Sequence, residues 1–182
     1  MPADTIVSEE AMDVARGDFD NFQIRRATPA DAEAIALAHL DSIRSLGPVF
    51  YPEEVVEAWS TGVGPALYVN AMNHGEAFFI ATGQLDHETV VLGFSTHRVD
   101  DAQDGASVYV RARAARRGIG TLLLQQAEKH ARAHGASSLR IQASLPGVEF
   151  YKANGFEILG RGQAELMSGH SMPCVFMRKL LR

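Results

Sequence analysis

The sequence predicts a mixed α/β fold, one sheet with helices on both faces. Three observations carry that expectation. Short alternating or β-branched runs recur between helical periodicities in the order β-α-α-β-β-β-α-β-α-β-β. A strand at Ser107–Val110 turns through Gly118-Ile119-Gly120 into a helix whose apolar residues Ile119, Leu123, Ala127 and Ala131 repeat every four positions. The chain has 182 residues, 46% apolar and 21% charged, enough to bury one core without disulfide or metal staples.

Residues 1–20 read as an acidic leader with no chemistry of their own, and residues 21–182 as one domain. The leader holds six acids and one base, so it accounts for the whole net charge of −5. A neutral remainder argues against a general nucleic-acid binder, which needs a basic face. The leader has no apolar run resembling a signal peptide, and no stretch approaches the ~20 apolar residues of a membrane span. The single cysteine, Cys174, has no internal disulfide partner, which suits a reducing compartment. The expectation is a cytoplasmic protein that binds neither membrane nor nucleic acid.

In chain order, Phe22-Gln23-Ile24-Arg25 alternates like a half-buried strand. Thr28-Pro29-Ala30-Asp31 is a helix start, with a capping hydroxyl, proline in the first turn and an acid beside the positive helix end. That helix runs to about Leu46, where Gly47-Pro48 ends it. Tyr51-Pro52-Glu53-Glu54 opens a second helix through Trp59, closed by Gly62 and Gly64, and residues 65–73 allow a further helical turn. His74-Gly75 turns into the strand Ala77–Ala81, which pairs as a hairpin across Gly83–Glu88 with Val90–His97. After a polar loop, Asp100–Gly105, comes the central strand and its helix, which Gly135 ends. Leu139–Ala143 is the next strand. Pro146 starts a short helix to Ala153, stopped by Asn154-Gly155. Phe156–Leu159 is a strand, Gly160–Gly169 a loop, and Met172–Leu180 a last strand.

A strand that turns through glycines into a helix aims several unpaired N–H groups, and the positive end of the helix dipole, at one point. Such a point favours phosphate, and glycine lets the backbone approach closely. Two common phosphate folds are thereby demoted. Thr121-Leu122 stands where a P-loop has its Lys-Ser/Thr, and Leu123 where a dinucleotide fingerprint has its third glycine. Of the nearby arginines, Arg116 and Arg117 are candidates for phosphate contact, while Arg111 and Arg113 are expected to face water. The spacing of the seven histidines and Cys174 suggests no metal site.

Two further segments join the turn: Leu139–Ala143 with Ser144 just after it, and Phe150-Tyr151-Lys152-Ala153-Asn154-Gly155-Phe156. Together with Val108-Tyr109-Val110 and Arg116-Arg117-Gly118-Ile119-Gly120, in this order and at this spacing, they resemble the GNAT superfamily of acetyl-CoA-dependent N-acyltransferases. The resemblance spans about Phe22 to Lys179. There are three departures. Ala115 stands where the family usually has Gln or Arg, Ser144 where many members carry Asn, and Gly105-Ala106-Ser107 where many place a glutamate base.

The resemblance implies a single GNAT-like domain with a mostly antiparallel sheet, its central strands splayed around a cofactor arm. Acetyl-CoA is then the cosubstrate, without a metal. Val108, Tyr109, Val110 and Ser144 would serve the pantetheine arm, and Arg116, Arg117, Gly118, Ile119, Gly120 and Thr121 the pyrophosphate. An amine would attack the thioester directly, the Val110 N–H would hold the oxyanion, and Tyr151 would protonate the leaving thiolate. His97 is the candidate base by intrinsic pKa, with Glu149 and Asp100 behind it and a water chain as the alternative. Tyr51, Glu53, Glu54 and Trp59 are the candidates to line the acceptor side, for a small-molecule or peptide amine, in a monomer or homodimer. The alternative function is a catalytically silent acyl-CoA-binding or regulatory module; a nucleotide-binding domain is disfavoured by the missing lysine and glycine.

Overall fold

The computed structural model describes residues 21–99 and 104–181. The acidic leader and Asp100 lie outside the described residues. Seven strands form one sheet: β1 (Phe22–Arg26), β2 (Ala77–Leu85), β3 (Glu88–Arg98), β4 (Gly105–Val110), β5 (Ser138–Ser144), β6 (Glu157–Glu165) and β7 (Ser171–Leu180). Their spatial order is β1-β2-β3-β4-β5-β7-β6, and every neighbouring pair is antiparallel except β4–β5. Five helices flank the sheet: α1 (Ala32–Leu46), α2 (Glu53–Ser60), α3 (Pro65–Asn73), α4 (Ile119–Ala133) and α5 (Val148–Ala153). Among the described residues no helix is long and apolar enough to cross a membrane.

The period of two along β3 assigns its residues to opposite faces. Phe94 packs with Ile35, Tyr68 and Phe78 under α1 and α3. Its neighbour Ser95 points to the other face and donates to the Leu123 carbonyl of α4 at 2.7 Å. The expected helices on both faces are therefore present, with Ile119, Leu123 and Ala127 buried under α4 as their four-residue repeat requires.

Three segments differ from expectation. Residues 65–73 form a complete helix, α3, whose Tyr68 is buried against Phe78. The loop expected over Gly83–Glu88 shortens to a two-residue turn in which Asp86 and His87 both have positive φ, so β2 and β3 run longer. Most of the segment Gly160–Gly169 is strand. Gly162 marks contact with a ring, because a Cβ there would collide with Phe176.

Candidate active site

The centre of the sheet is split. β4 and β5 pair in parallel at one position, Gly105↔Arg140, where the Arg140 N–H donates to the Asp104 carbonyl at 2.9 Å. β5 then takes its remaining partners from β7, and β4 from β3. At the open end the Arg111 N–H bonds the Leu92 carbonyl of β3 at 2.8 Å. By the alternation of an antiparallel ladder, the backbone groups of Val108 and Val110 point away from β3 and into the gap.

One of those groups is already engaged. The Val108 N–H donates to Tyr151 Oη at 3.0 Å. Tyr151 stands on α5, only 6% exposed, with its ring edge-on to Phe150 and Phe156. Burial, and after it the neighbouring Tyr109, pushes the Tyr151 phenol above its ordinary range, against a smaller lowering by the Val108 N–H. The phenol is therefore fully protonated at neutral pH, and its oxygen accepts from Val108 while its proton stays available to a partner in the gap.

The glycine turn opens onto the same gap. The Leu122 N–H→Gly118 carbonyl bond, 3.1 Å, begins α4, which leaves the N–H groups of Ile119, Gly120 and Thr121 without intrahelical partners. Arg116 and Gly118 both have positive φ, 65° and 80°, which turns the chain sharply enough to gather those donors. The two glycines serve different needs. A Cβ on Gly118 would meet nothing within 4 Å, so that position needs glycine for its φ. At Gly120 a Cβ would lie 3.1 Å from the Phe150 ring, so that glycine lets α5 close against α4.

Arg111 does not face water. Its Nε donates to the Val91 carbonyl at 2.7 Å, and it lies 3.7 Å from Asp41, whose carboxylate also accepts the Ala112 N–H at 2.9 Å. Arg113 pairs with Asp86. Arg111 thus holds the turn's entry to the body of the protein, while Arg113 stays exposed and Arg116 lines the cavity.

That cavity, about 550 Å³, follows the gap from Gly118, Gly120 and Thr121 along Val108 and Val110 to Glu149, Phe150 and Asn154 of α5 and its cap. Ser42 and Leu46 of α1 close one side. These last residues, with Phe150 and Asn154, were not selected from sequence, and only the spacing of Ser42 and Leu46 on one helix face hinted at a shared role. Ser144 ends β5 at the open mouth, opposite Cys174 of β7, and is not in this lining. Ile119 is buried and has only its backbone to offer.

A second cavity, about 480 Å³, lies on the opposite face of β4. It reaches Ser107 and Tyr109, the residues flanking Val108, and Thr96, Arg140, Gln142 and Phe176 on the neighbouring strands. The expected cofactor residue Tyr109 thus turns its ring away from the first cavity, packing 3.9 Å from His39 and 5.4 Å from Phe94 between ring centres.

The expected base is not in either cavity. His97 points to the α4 face, with its side chain fully buried. Its Nδ1 lies 2.8 Å from His130 Nδ1 and its Nε2 2.9 Å from Asp104 Oδ1. Arg26 donates to His130 Nε2 at 3.1 Å, so His130 carries its proton on Nδ1 and donates to His97, which donates in turn to Asp104. Desolvation first, then His134, Arg26 and His97, holds His130 down at about 4. Both nitrogens of His97 are thereby committed to structure.

The acceptor candidates also sit elsewhere. Tyr51 is a buried tie: its hydroxyl donates to the Pro173 carbonyl and accepts the Leu145 N–H, both at 2.8 Å. Trp59 is buried edge-on to Tyr51, 5.9 Å between ring centres, and Glu53 and Glu54 are exposed on α2. All four line neither cavity.

Comparison with known proteins bears on the whole arrangement. Residues 74–158, from the turn before β2 through α5, match the acetyltransferase (GNAT) domain. No curated protein matches the sequence. A GCN5-related N-acetyltransferase from Rhodopseudomonas palustris is 27% identical, with a TM-score of 0.74 over 90% of this chain and 98% of that one. The PaiA N-acetyltransferase of Thermoplasma acidophilum, solved with coenzyme A, shares the fold at 20% identity and a TM-score of 0.68, covering 88% of this chain and 99% of its own. A putative acetyltransferase, yncA, from Salmonella typhimurium with acetyl-CoA gives 19%, 0.64, 88% and 94%. The split sheet and the glycine turn lie within the segment that matches the acetyltransferase (GNAT) domain, and the chain has the fold of the GNAT acetyltransferases.

Proposed function

We propose that residues 21–182 form one N-acetyltransferase domain that moves the acetyl group of acetyl-CoA to an amine by direct attack. The observation that supports it most is Tyr151 Oη, seated 3.0 Å from the Val108 N–H inside the β4–β5 split. That split leads to the anion-binding start of α4. The cavity between them suits a long, flexible ligand with a phosphate-bearing end and an amide-bearing arm. Acetyl-CoA supplies an acetyl group activated as a thioester.

The chain's own residues then have separable tasks. The N–H groups of Ile119, Gly120 and Thr121 hold the pyrophosphate, with Arg116 beside them. The gap-facing backbone of Val110 bonds the arm and offers its N–H to the developing oxyanion. Ser144, at the end of β5, lies outside the cavity lining and would reach the pantetheine only at the mouth. Tyr151 gives its proton to the departing thiolate while Val108 fixes its oxygen. The amine enters from the opposite face, through the Ser107–Tyr109 cavity. With His97 committed to Asp104 and His130, its proton leaves through water.

Release of free CoA thiol from acetyl-CoA across an amine panel tests this reading. Amine-dependent release supports it. Thermal stabilisation by CoA with no release on any amine would instead identify a silent acyl-CoA-binding module. The coenzyme A and acetyl-CoA bound by the Thermoplasma and Salmonella proteins make that cosubstrate the first to try.

A further inference from the structure

The acceptor-side cavity carries a feature that transfer chemistry does not use. Across one end of the sheet the register aligns Arg98 of β3 with Gly105 of β4, Gly105 with Arg140 of β5, and Arg140 with Arg178 of β7. These positions share the face opposite α4, because Leu139, Ile141 and Met177 beside them point into the other core. Three arginines thus stand at aligned positions, with Gly105 between Arg98 and Arg140, and Arg178 is aligned in turn with Glu157 of β6. Arg98 leans across that gap, with its Nη2 3.6 Å from where a Gly105 Cβ would be. Arg98 and Arg140 are exposed and both line the cavity. Arg178 Nε is buried without any hydrogen-bond partner. Among the described residues none of the three has an acid partner. Of the cavity's two carboxylates, Asp104 is held by His97, and Glu76 forms no ion pair with the row.

We infer that this row receives an anion carried by the acceptor, so that the substrate is an amine bearing a carboxylate or phosphate. The inference rests on the acetyltransferase reading for the identity of the opposite face. Geometry limits the spacing. Gly105 and Val108, whose N–H holds Tyr151, are three residues apart on β4, so the anion lies roughly 10 Å from the proton donor. Guanidinium forks recognise both oxyanions, so Arg98 and Arg140, which line the cavity, can bind either. Neutral amines lack this contact and gain nothing from the row.

The test uses three acceptors of similar length: hexylamine, 6-aminohexanoate and 5-aminopentyl phosphate. Thiol release with acetyl-CoA gives kcat/KM for each, and calorimetry on the CoA-loaded protein gives their affinities whether or not transfer occurs. Arg98→Gln and Arg140→Gln are exposed changes that leave the core untouched. We expect at least one anionic acceptor to exceed hexylamine by about 10–100-fold, and the double variant to erase that preference with KM for acetyl-CoA unchanged. The comparison between carboxylate and phosphate identifies which anion the row prefers. Equal use or equal binding of all three overturns the inference, as does a preference that survives in the double variant. Arginine-dependent binding of an anionic amine without transfer would uphold the inference and sink the acetyltransferase reading.

Discussion

Replacing Tyr151 by Phe separates the chemistry of the split from its architecture. The ring is buried against Phe150 and Phe156 and has no reason to move, so the change removes one oxygen and one proton. Loss of a general acid lowers turnover by about 10²–10⁴-fold. The leaving group decides where in that range the effect falls. A thiol's pKa of ~8.5 makes thiolate a fair leaving group unaided, so we expect the low end, about 10²-fold in kcat. The structural effect works against a simple reading, because the Val108 N–H loses its acceptor. A buried donor left unsatisfied costs about 1–3 kcal/mol. Val108 is half-buried beside an open cavity where water can replace the phenol, which places the loss near 1 kcal/mol, or about 2–4 °C in Tm for a chain of this size.

The assay pairs single-turnover thiol release with CoA binding and thermal denaturation. The expected variant binds CoA normally, melts slightly early and turns over about a hundredfold more slowly. Its pH profile adds a second check. The phenol in the native protein lies above its ordinary ~10, so wild-type kcat should show no alkaline fall below pH 9.5 from this group. Turnover within threefold of wild type, with binding intact, would refute the acid role. A fall in wild-type kcat between pH 8 and 9 would assign proton donation to another residue.

The glycines of the turn should respond differently. Gly120→Val drives side-chain atoms into Phe150, so it should lower stability by about 1–3 kcal/mol and weaken CoA binding, read by melting with and without CoA. Gly118→Ala meets no neighbour and strains only φ +80°, so it should cost about 1 kcal/mol and leave CoA affinity within a few-fold; a larger affinity loss would mean that the ligand itself abuts this position. His39 is buried against Tyr109 and donates or accepts at Tyr68 Oη, 2.7 Å away, and burial holds its pKa down at about 3. The unfolded chain, titrating near 6.5, takes up the proton first as pH falls. Stability is therefore flat above pH 6.5 and declines below it, by up to about 1.4 kcal/mol per pH unit, until about pH 3. Urea unfolding at pH 7.5, 5.5 and 4.5 should show a shallower slope in His39→Gln than in wild type; equal slopes would place the acid lability elsewhere.

Local signals made the cofactor side legible. Gly118-Ile119-Gly120 before a four-residue apolar repeat specifies a strand–turn–helix from neighbouring residues alone, and the positive φ at Gly118 is the kind of constraint that selects glycine. The distinct need at Gly120 was invisible, because it comes from Phe150, thirty positions later. Tyr151 was found by its segment, whereas its bond to Val108 depends on how α5 packs. The acceptor side failed for the same reason in reverse. Trp59 and Tyr51 carry the composition of a binding wall, yet long-range contacts with Pro173 and Leu145 make them core. His97 has the intrinsic pKa of a base, but strand parity turns it toward α4, and Asp104 and His130 then consume both nitrogens. The strand Gly160–Glu165 was missed because glycines normally weaken strands, and the Phe176 ring that justifies Gly162 lies on β7.

Strand parity also lets one short strand border two cavities. β4 spends alternate backbone groups on β3 and leaves those of Val108 and Val110 facing the split. Its side chains alternate as well, so Val108 and Val110 line the cavity beside α4 while Ser107 and Tyr109 line the cavity on the other face. In the proposed reaction the ligand arm in the split meets the edge of β4, and the amine approaches through the opposite face. The single parallel pairing at Gly105 sets this arrangement. If β5 stayed paired with β4 beyond it, the Val108 and Val110 groups would be consumed by the ladder and the two faces sealed from each other. The glycine at that point keeps the apex narrow while leaving the space that Arg98 and Arg140 share. The same residue that closes the sheet at one end thus lines the second cavity, which ties the proposed anion preference to the geometry of the split.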